Sequence, residues 1–270
     1  MAARTRTGMV VNTGVVNLYK EPSFRSETVT QAVLGEMPEV IDQQGKWFRL
    51  QQWDGYESWA YHFYLAKAPG FKDAKAFLTT TDNVTVIRSA PDAYAPGVRD
   101  AVFGCKLPVL AEDNDWYQVS LPDGAEGWLR NEPMDLEGDT RHKLVSVARR
   151  FLGIPYVWGG KTPKGMDCSG LVQTTFKALG IELPRDAHLQ ECFGNLPRIQ
   201  PEKAAPGDLF FFSEDHERIT HVTISTGGAE FIHCSGWVKE ESLAPDGITY
   251  NHLLRQIFTG CRDITPLLHE

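Results

Sequence analysis

Pro22, Gly35, Trp47, Gly55 and Trp59 return 69 positions later as Pro91, Gly104, Trp116, Gly124 and Trp128, with Val40 falling on Val109 and Asp54 on Asp123. Matches at one fixed offset are hard to obtain by chance, so the N-terminal half is read as an internal repeat. Each copy shows an extended run ending near the proline, a glycine-led strand, a tryptophan-centred strand, then a turn and a second tryptophan strand. That spacing predicts two small all-β barrels. The four tryptophans are expected in barrel core or rim rather than as ligand platforms. The copies differ at positions that look exposed: Tyr56 corresponds to Ala125, and Glu21 to Ala90. Different jobs are therefore expected, the first copy shaping a site and the second serving mainly as a spacer. The stretch from Arg130 to Arg141, with its acidic cluster, Pro133 and Gly138, reads as a linker into a further domain.

That domain carries a candidate nucleophile. Cys168 is followed by Leu171, Val172, Thr175, Phe176 and Leu179 before Gly180, an apolar spacing that is helical with a glycine stop. Asp167, Cys168 and Ser169 then form the first turn, where unpaired N–H groups and the helix dipole favour negative charge. Downstream, residues 221–225 alternate as a strand, Gly227-Gly228 reads as a turn, and Phe231-Ile232-His233-Cys234 reads as the returning strand. His221 then lies nearly opposite His233, and both rings are expected on one face with the helix docked upon it. A free thiol has a pKa of about 8.5 and is a weak nucleophile at neutral pH. An adjacent imidazole and a helix N-terminus both favour the thiolate, and a second polar group orients the imidazole.

Singly, such residues have bland explanations: a lone cysteine before an apolar helix is more often a small core residue. The combination weighs against that. Pro155-Tyr156-Val157-Trp158-Gly159-Gly160 lies just upstream of the cysteine, and Pro206-Gly207-Asp208 leads the apolar run Leu209-Phe210-Phe211-Phe212 just before the histidines. Cys168, His221 and His233 are also possible zinc ligands. No Cys-x-x-Cys or His-Glu-x-x-His spacing occurs, however, so neither a metal nor a cofactor is expected. His216, in a charged run, is read as a solvated loop residue.

These motifs resemble the NlpC-type peptidoglycan endopeptidases, which are papain-like cysteine peptidases. The resemblance rests on Pro155-Tyr156-x-Trp158-Gly159-Gly160, Asp167-Cys168-Ser169-Gly170, Pro184-Arg185, Pro206-Gly207-Asp208-Leu209, His221-Val222 and His233, across roughly residues 143–262. The repeated half is similar to bacterial SH3 modules. The resemblance implies an α+β chain: barrels over residues 1–68 and 74–134, then a papain-like peptidase domain over residues 140–270. It implies Cys168 as nucleophile, His221 as general base, His233 as the residue orienting His221, and Tyr156 beside the Cys168 N–H as an oxyanion donor. Trp158 and Ser169 would contact substrate. Asp186 stands where a small hydroxyl residue is common in the wider family. In related enzymes of wall-peptide recycling, an acidic residue there joins a Glu and a Tyr of the first barrel to hold a substrate ammonium. Glu21 and Tyr56 are the matching candidates, with Glu57 the rival of Glu21.

The net charge of −8 argues against nucleic acid or an anionic membrane as the main partner. Five scattered cysteines form no disulfide framework and suit a reducing compartment. Residues 10–17 are broken by polar residues and make a poor signal core, and no window is apolar enough for a membrane span. The expectation is a cytoplasmic monomer that hydrolyses the γ-D-Glu–diamino-acid bond of murein peptides bearing a free N-terminal L-Ala. The alternatives are an exported hydrolase of intact wall and a non-catalytic wall-binding protein.

Overall fold

A computed structural model describes residues 8–215 and 217–268. The basic N-terminal stretch and His216 lie outside the described residues. The chain separates into two compact units, residues 1–134 and 135–270.

The first unit holds both copies of the repeat. In the first copy, β1 (Met9–Val11) precedes β2 (Val15–Tyr19), β3 (Thr28–Val33), β4 (Glu39–Gln44), β5 (Trp47–Gln51) and β6 (Glu57–Tyr61), and β7 (Leu65–Lys67) returns to pair antiparallel with β1. In the second, β8 (Phe77–Thr79) precedes β9 (Val84–Arg88), β10 (Gly97–Val102), β11 (Lys106–Asp113), β12 (Trp116–Ser120) and β13 (Glu126–Arg130). The strand order is β3-β2-β6-β5-β4 in one sheet and β10-β9-β13-β12-β11 in the other, extended by β8. The duplication thus extends to topology. Gly35 and Gly104 both adopt left-handed backbone, φ +84° and +85°, at the same turn of each copy.

The sequence reading gave four extended runs per copy, and β3 and β10 are among the strands it missed. In β3 three successive residues, Thr30, Gln31 and Ala32, are buried, so no two-residue alternation marks it. The second barrel is also more than a spacer. Val10 and Leu34 of the first copy share one apolar cluster with Ile87, Ala101, Leu107 and Leu129 of the second. Arg99 donates to Asp123 Oδ2 at 2.8 Å and to Asn12 Oδ1 at 2.8 Å, tying the copies at the edge of that cluster. Trp59 and Trp116 are buried, and Trp47 and Trp128 half-buried.

The second unit begins with α1 (Thr140–Arg149), capped by Asp139, whose side chain accepts the His142 N–H. A small hairpin, β14 (Lys161–Thr162) and β15 (Gly165–Met166), leads into α2 (Cys168–Lys177), and α3 (Ala187–Cys192) follows. The sheet comprises β16 (Arg198–Ile199), β17 (Leu209–Phe212), β18 (His221–Gly227), β19 (Glu230–Ser235), β20 (Trp237–Ser242) and β21 (Phe258–Arg262), with α4 (His252–Gln256) before the last strand. Their spatial order is β16-β21-β17-β18-β19-β20, all antiparallel. Every residue of β17 is buried, as its continuous apolar run requires.

Strand parity places the histidines. Phe212 pairs with His221, and Phe210 with Thr223, so these residues share a face. Phe210, Phe212 and Phe231 form a cluster on that face, against which Leu254 of α4 packs. Cys234, of the opposite parity, donates its Sγ–H to Met166 O at 3.1 Å, just ahead of α2. The two histidine rings therefore share one face, while α2 lies against the other. The expectation that the helix covers the histidine face is corrected accordingly.

Candidate active site

Asp167, Cys168, Ser169 and Gly170 build the start of α2. The Asp167 carboxylate caps the helix by accepting the Gly170 N–H at 2.7 Å. Gly170 is required for packing: a Cβ there would sit 2.1 Å from Gly160 O, inside any permitted contact. Arg185, only 1% exposed, forks onto Asp167, with Nη1 donating to Oδ1 at 3.0 Å and Nη2 to Oδ2 at 2.6 Å. Its Nη1 also donates to Ser169 Oγ at 2.8 Å, and Ser169 Oγ donates to Asp167 Oδ1 at 3.2 Å. The Ser169 hydroxyl is thus engaged in anchoring the helix start. Arg185 entered the sequence reading only as part of a motif, and its anchoring role becomes visible in the folded chain.

Cys168 is buried, and its Sγ lies 3.9 Å from Thr220 O, the residue before His221. A backbone hydrogen bond from Val222 also reaches the thiol, so sulfur meets the chain on both sides of His221. His221 Nε2 lies 2.9 Å from His233 Nδ1. Beyond it, Glu241 Oε2 lies 2.9 Å from His233 Nε2, off the axis of a straight ring N–H bond. Glu241 is held in turn by Asn251 Nδ2, at 2.5 Å, and by Lys239 Nζ, at 3.0 Å. The sequence reading overlooked Glu241. The one-residue turn at Gly236 sets His233 opposite Lys239, and two residues further on places Glu241 diagonal to the histidine.

Burial pushes the Cys168 thiol up to about 12, and the Asp167 charge acts in the same direction. Burial pushes the His221 imidazole down to about 3, with His233 adding to the effect. Burial thus favours the neutral thiol and the neutral imidazole, and opposes the preference for thiolate that a helix start supplies. A helix end supplies at most about 2 kcal/mol to a charge, which does not offset removal of the thiolate from water.

The remaining expected site residues fall in three places. Tyr156 is half-buried, with its hydroxyl pKa raised by burial and then by Cys168 and Asp167, so the phenol keeps its proton. Trp158 is 63% exposed. Asp186 occupies the position before α3, but its side chain makes no capping hydrogen bond there, and the carboxylate is half-buried. Glu21 and Tyr56 belong to the first unit, Glu21 exposed and Tyr56 half-buried. Glu57, the rival of Glu21, is paired with Arg49 at 2.6 Å. Among the described residues, no group of three or more His, Cys, Asp or Glu side chains is placed to hold a metal ion.

Residues 153–255 match the NlpC/P60 family, and residues 14–66 and 83–132 each match the bacterial SH3 domain. The chain is 30% identical to gamma-D-glutamyl-L-lysine dipeptidyl-peptidase of Bacillus cereus, over 76% of this chain and 66% of that protein. It is also 30% identical to the Bacillus subtilis protein of the same name, over 76% of this chain and 71% of the relative. Dipeptidyl-peptidase 6 of Lysinibacillus sphaericus is 27% identical, over 82% of this chain and 85% of its own length. The crystal structure of an NlpC/P60 family protein from Bacillus cereus superposes with a TM-score of 0.79 at 24% identity, covering 96% of this chain and 99% of that one, and so shares the fold. With the cysteine–histidine site and the duplicated barrels both accounted for, the chain belongs to the NlpC/P60 family, with two bacterial SH3 domains ahead of its NlpC/P60 domain.

Proposed function

We propose that this protein is a cysteine peptidase that hydrolyses the γ-D-glutamyl–diamino-acid bond of wall-derived peptides with a free N-terminal L-Ala. The observation that carries the reading is the placement of Cys168 at a helix start beside a strand whose His221 is coupled to His233 at 2.9 Å. The names of the two Bacillus relatives support the substrate class.

In this mechanism Cys168 Sγ attacks the γ-carbonyl carbon as its proton passes to His221. Thiolate and imidazolium then arise together, each the counter-ion of the other, which lowers the cost that either charge carries alone in a buried site. The Cys168 N–H and the protonated Tyr156 hydroxyl donate to the developing oxyanion. Collapse of the intermediate breaks the C–N bond. His221 returns its proton to the departing amine, leaving a thioester that water hydrolyses by the reverse route.

Asp186 is the proposed selector of the free amine. Its half-buried carboxylate makes no capping hydrogen bond to α3 and feels the Arg185 charge; a carboxylate is the group that pairs with an ammonium, and Glu57 is already ion-paired with Arg49. Recycling of released peptides in a reducing compartment fits this selectivity, and all five cysteines are free thiols. The test is mass spectrometry of products from L-Ala-γ-D-Glu-L-Lys and the diaminopimelate analogue, each with a free or an acetylated amine, and from intact wall. Free peptides should be cut after D-Glu. An ionic hydrogen bond is worth about 1.5–3 kcal/mol, so acetylation or Asp186→Ala should cost about ten- to a hundredfold. Equal rates on free and acetylated peptides would refute amine selection and favour hydrolysis of intact wall.

A further inference from the structure

We propose that Glu241 is a positioning residue that sets the proton positions on both histidines, leaving His221 Nδ1 as the base for the Cys168 proton; the proposal rests on reading Cys168 and His221 as nucleophile and base.

The argument is one of donors and acceptors. Two neutral imidazoles joined by a single hydrogen bond have two settings. In the first, His221 Nε2 donates to His233 Nδ1, and the lone pair of His221 is on Nδ1. In the second, His233 Nδ1 donates to His221 Nε2, and the His221 proton sits on Nδ1, where it cannot accept from the thiol. The 2.9 Å contact between the rings is compatible with either. Glu241 separates them. An ionised carboxylate only accepts hydrogen bonds. Its Oε2, 2.9 Å from His233 Nε2, favours a proton on that nitrogen and repels a lone pair there. A proton on His233 Nε2 leaves Nδ1 as acceptor, which selects the first setting. Because the carboxylate lies off the ring's N–H axis, charge supplies more of this preference than bond direction does.

Other groups around the pair keep Glu241 ionised. Lys239 meets Oε1 at 3.0 Å and Asn251 donates to Oε2 at 2.5 Å, so two donors besides His233 converge on one carboxylate. Phe231, directly opposite Glu241 across the ladder, packs edge-on against His233 at 5.2 Å between ring centroids and fixes the ring plane. Phe212 packs against His221 in a tilted arrangement at 5.6 Å. The rings therefore have little freedom to evade the carboxylate by turning.

The decisive measurement is the histidine ring 15N spectrum of the full-length protein at neutral pH. The expected result is a protonated Nε2 and an unprotonated Nδ1 on both His221 and His233. In Glu241→Gln the charge is gone and the amide can turn its NH2 to His233 Nε2, which then accepts, so the preference weakens and the second setting becomes populated. kcat should then fall about tenfold or more, with KM changed less than about twofold, because the loss falls on the proton-transfer step. Glu241→Asp keeps the charge and should retain more kcat than Glu241→Gln. A protonated Nδ1 on His233 in the wild type overturns the proposal. So does a Glu241→Gln protein with wild-type kcat and unchanged ring signals, even if its melting temperature drops, since that marks a purely structural residue. If the wild type cleaves none of the peptides, the functional reading fails, while the ring spectrum still decides the role of Glu241.

Discussion

At the residue scale, burial is the dominant influence on the reacting groups. Burial pushes the Cys168 thiol up to about 12 and the His221 imidazole down to about 3, so it disfavours the charged form of each. Cys168→Ala should abolish turnover and leave the fold intact, since the thiol contributes little packing beyond its β-carbon; retained hydrolysis in that variant would sink the cysteine mechanism. The shifts also bear on stability. His221 titrates near 6.5 when unfolded and near 3 when folded, so between those values the unfolded chain binds more protons. Folding stability is then lost as pH falls from about 6.5 towards 3. Glu241, held down to about 2 by His233, Asn251 and Lys239 although burial opposes it, adds a loss of the same sign below its ordinary 4.5. Calorimetry across pH 7 to 4 should show a falling melting temperature, with a shallower slope in His221→Gln. An unchanged slope in that variant would assign the acid sensitivity to other groups.

The element scale concerns the start of α2. Asp167 caps the helix, yet its charge beside Cys168 opposes the thiolate, so the Arg185 fork both anchors the cap and balances that charge. Arg185→Leu strands a buried carboxylate and should cost about 3–5 kcal/mol in denaturant unfolding. Arg185→Lys should recover only part, because one ammonium cannot reproduce the fork. Gly170→Ala makes the opposing case. Helix propensity alone favours alanine by about 1 kcal/mol, but the Cβ would meet Gly160 O at 2.1 Å. Net destabilisation is the expected outcome, and a stabilised variant would mean that the helix is free to move away from Gly160. Much of this element was legible in the sequence: the apolar spacing from Leu171 to Phe176 and the Gly180 stop mark α2 closely, while Asp167, read as part of the first turn, proves to be its N-cap. The Arg185 fork was not, because its partner lies eighteen residues away and nothing local indicates which charges meet.

On the scale of the whole molecule, the duplicated barrels are coupled. Leu34 of the first copy is fully buried in a cluster with Ile87, Leu107 and Leu129 of the second. Leu34→Ala should cost about 2–5 kcal/mol, and hydrogen exchange should accelerate across both copies together rather than in the first alone. Independent exchange of the two copies would restore the picture of a spacer. The NlpC/P60 unit is organised around one antiparallel sheet, with α2 on one face and the histidine cluster on the other.

What the amino-acid sequence determined by itself was local and periodic. The offset of 69 residues, the glycines at the barrel turns, the helix opening at Cys168 and the hairpin from His221 to His233 all follow from short-range rules of φ, capping and alternation. What only the tertiary structure decided depends on distance and exclusion of water. Assembly of the chain brings Glu241 to His233, sets Arg185 on Asp167, merges the cores of the two repeats, buries Cys168 and leaves His221 half-buried. The protonation of a thiol or an imidazole reflects the medium and charges around it, and those exist only after residues far apart in sequence have packed together.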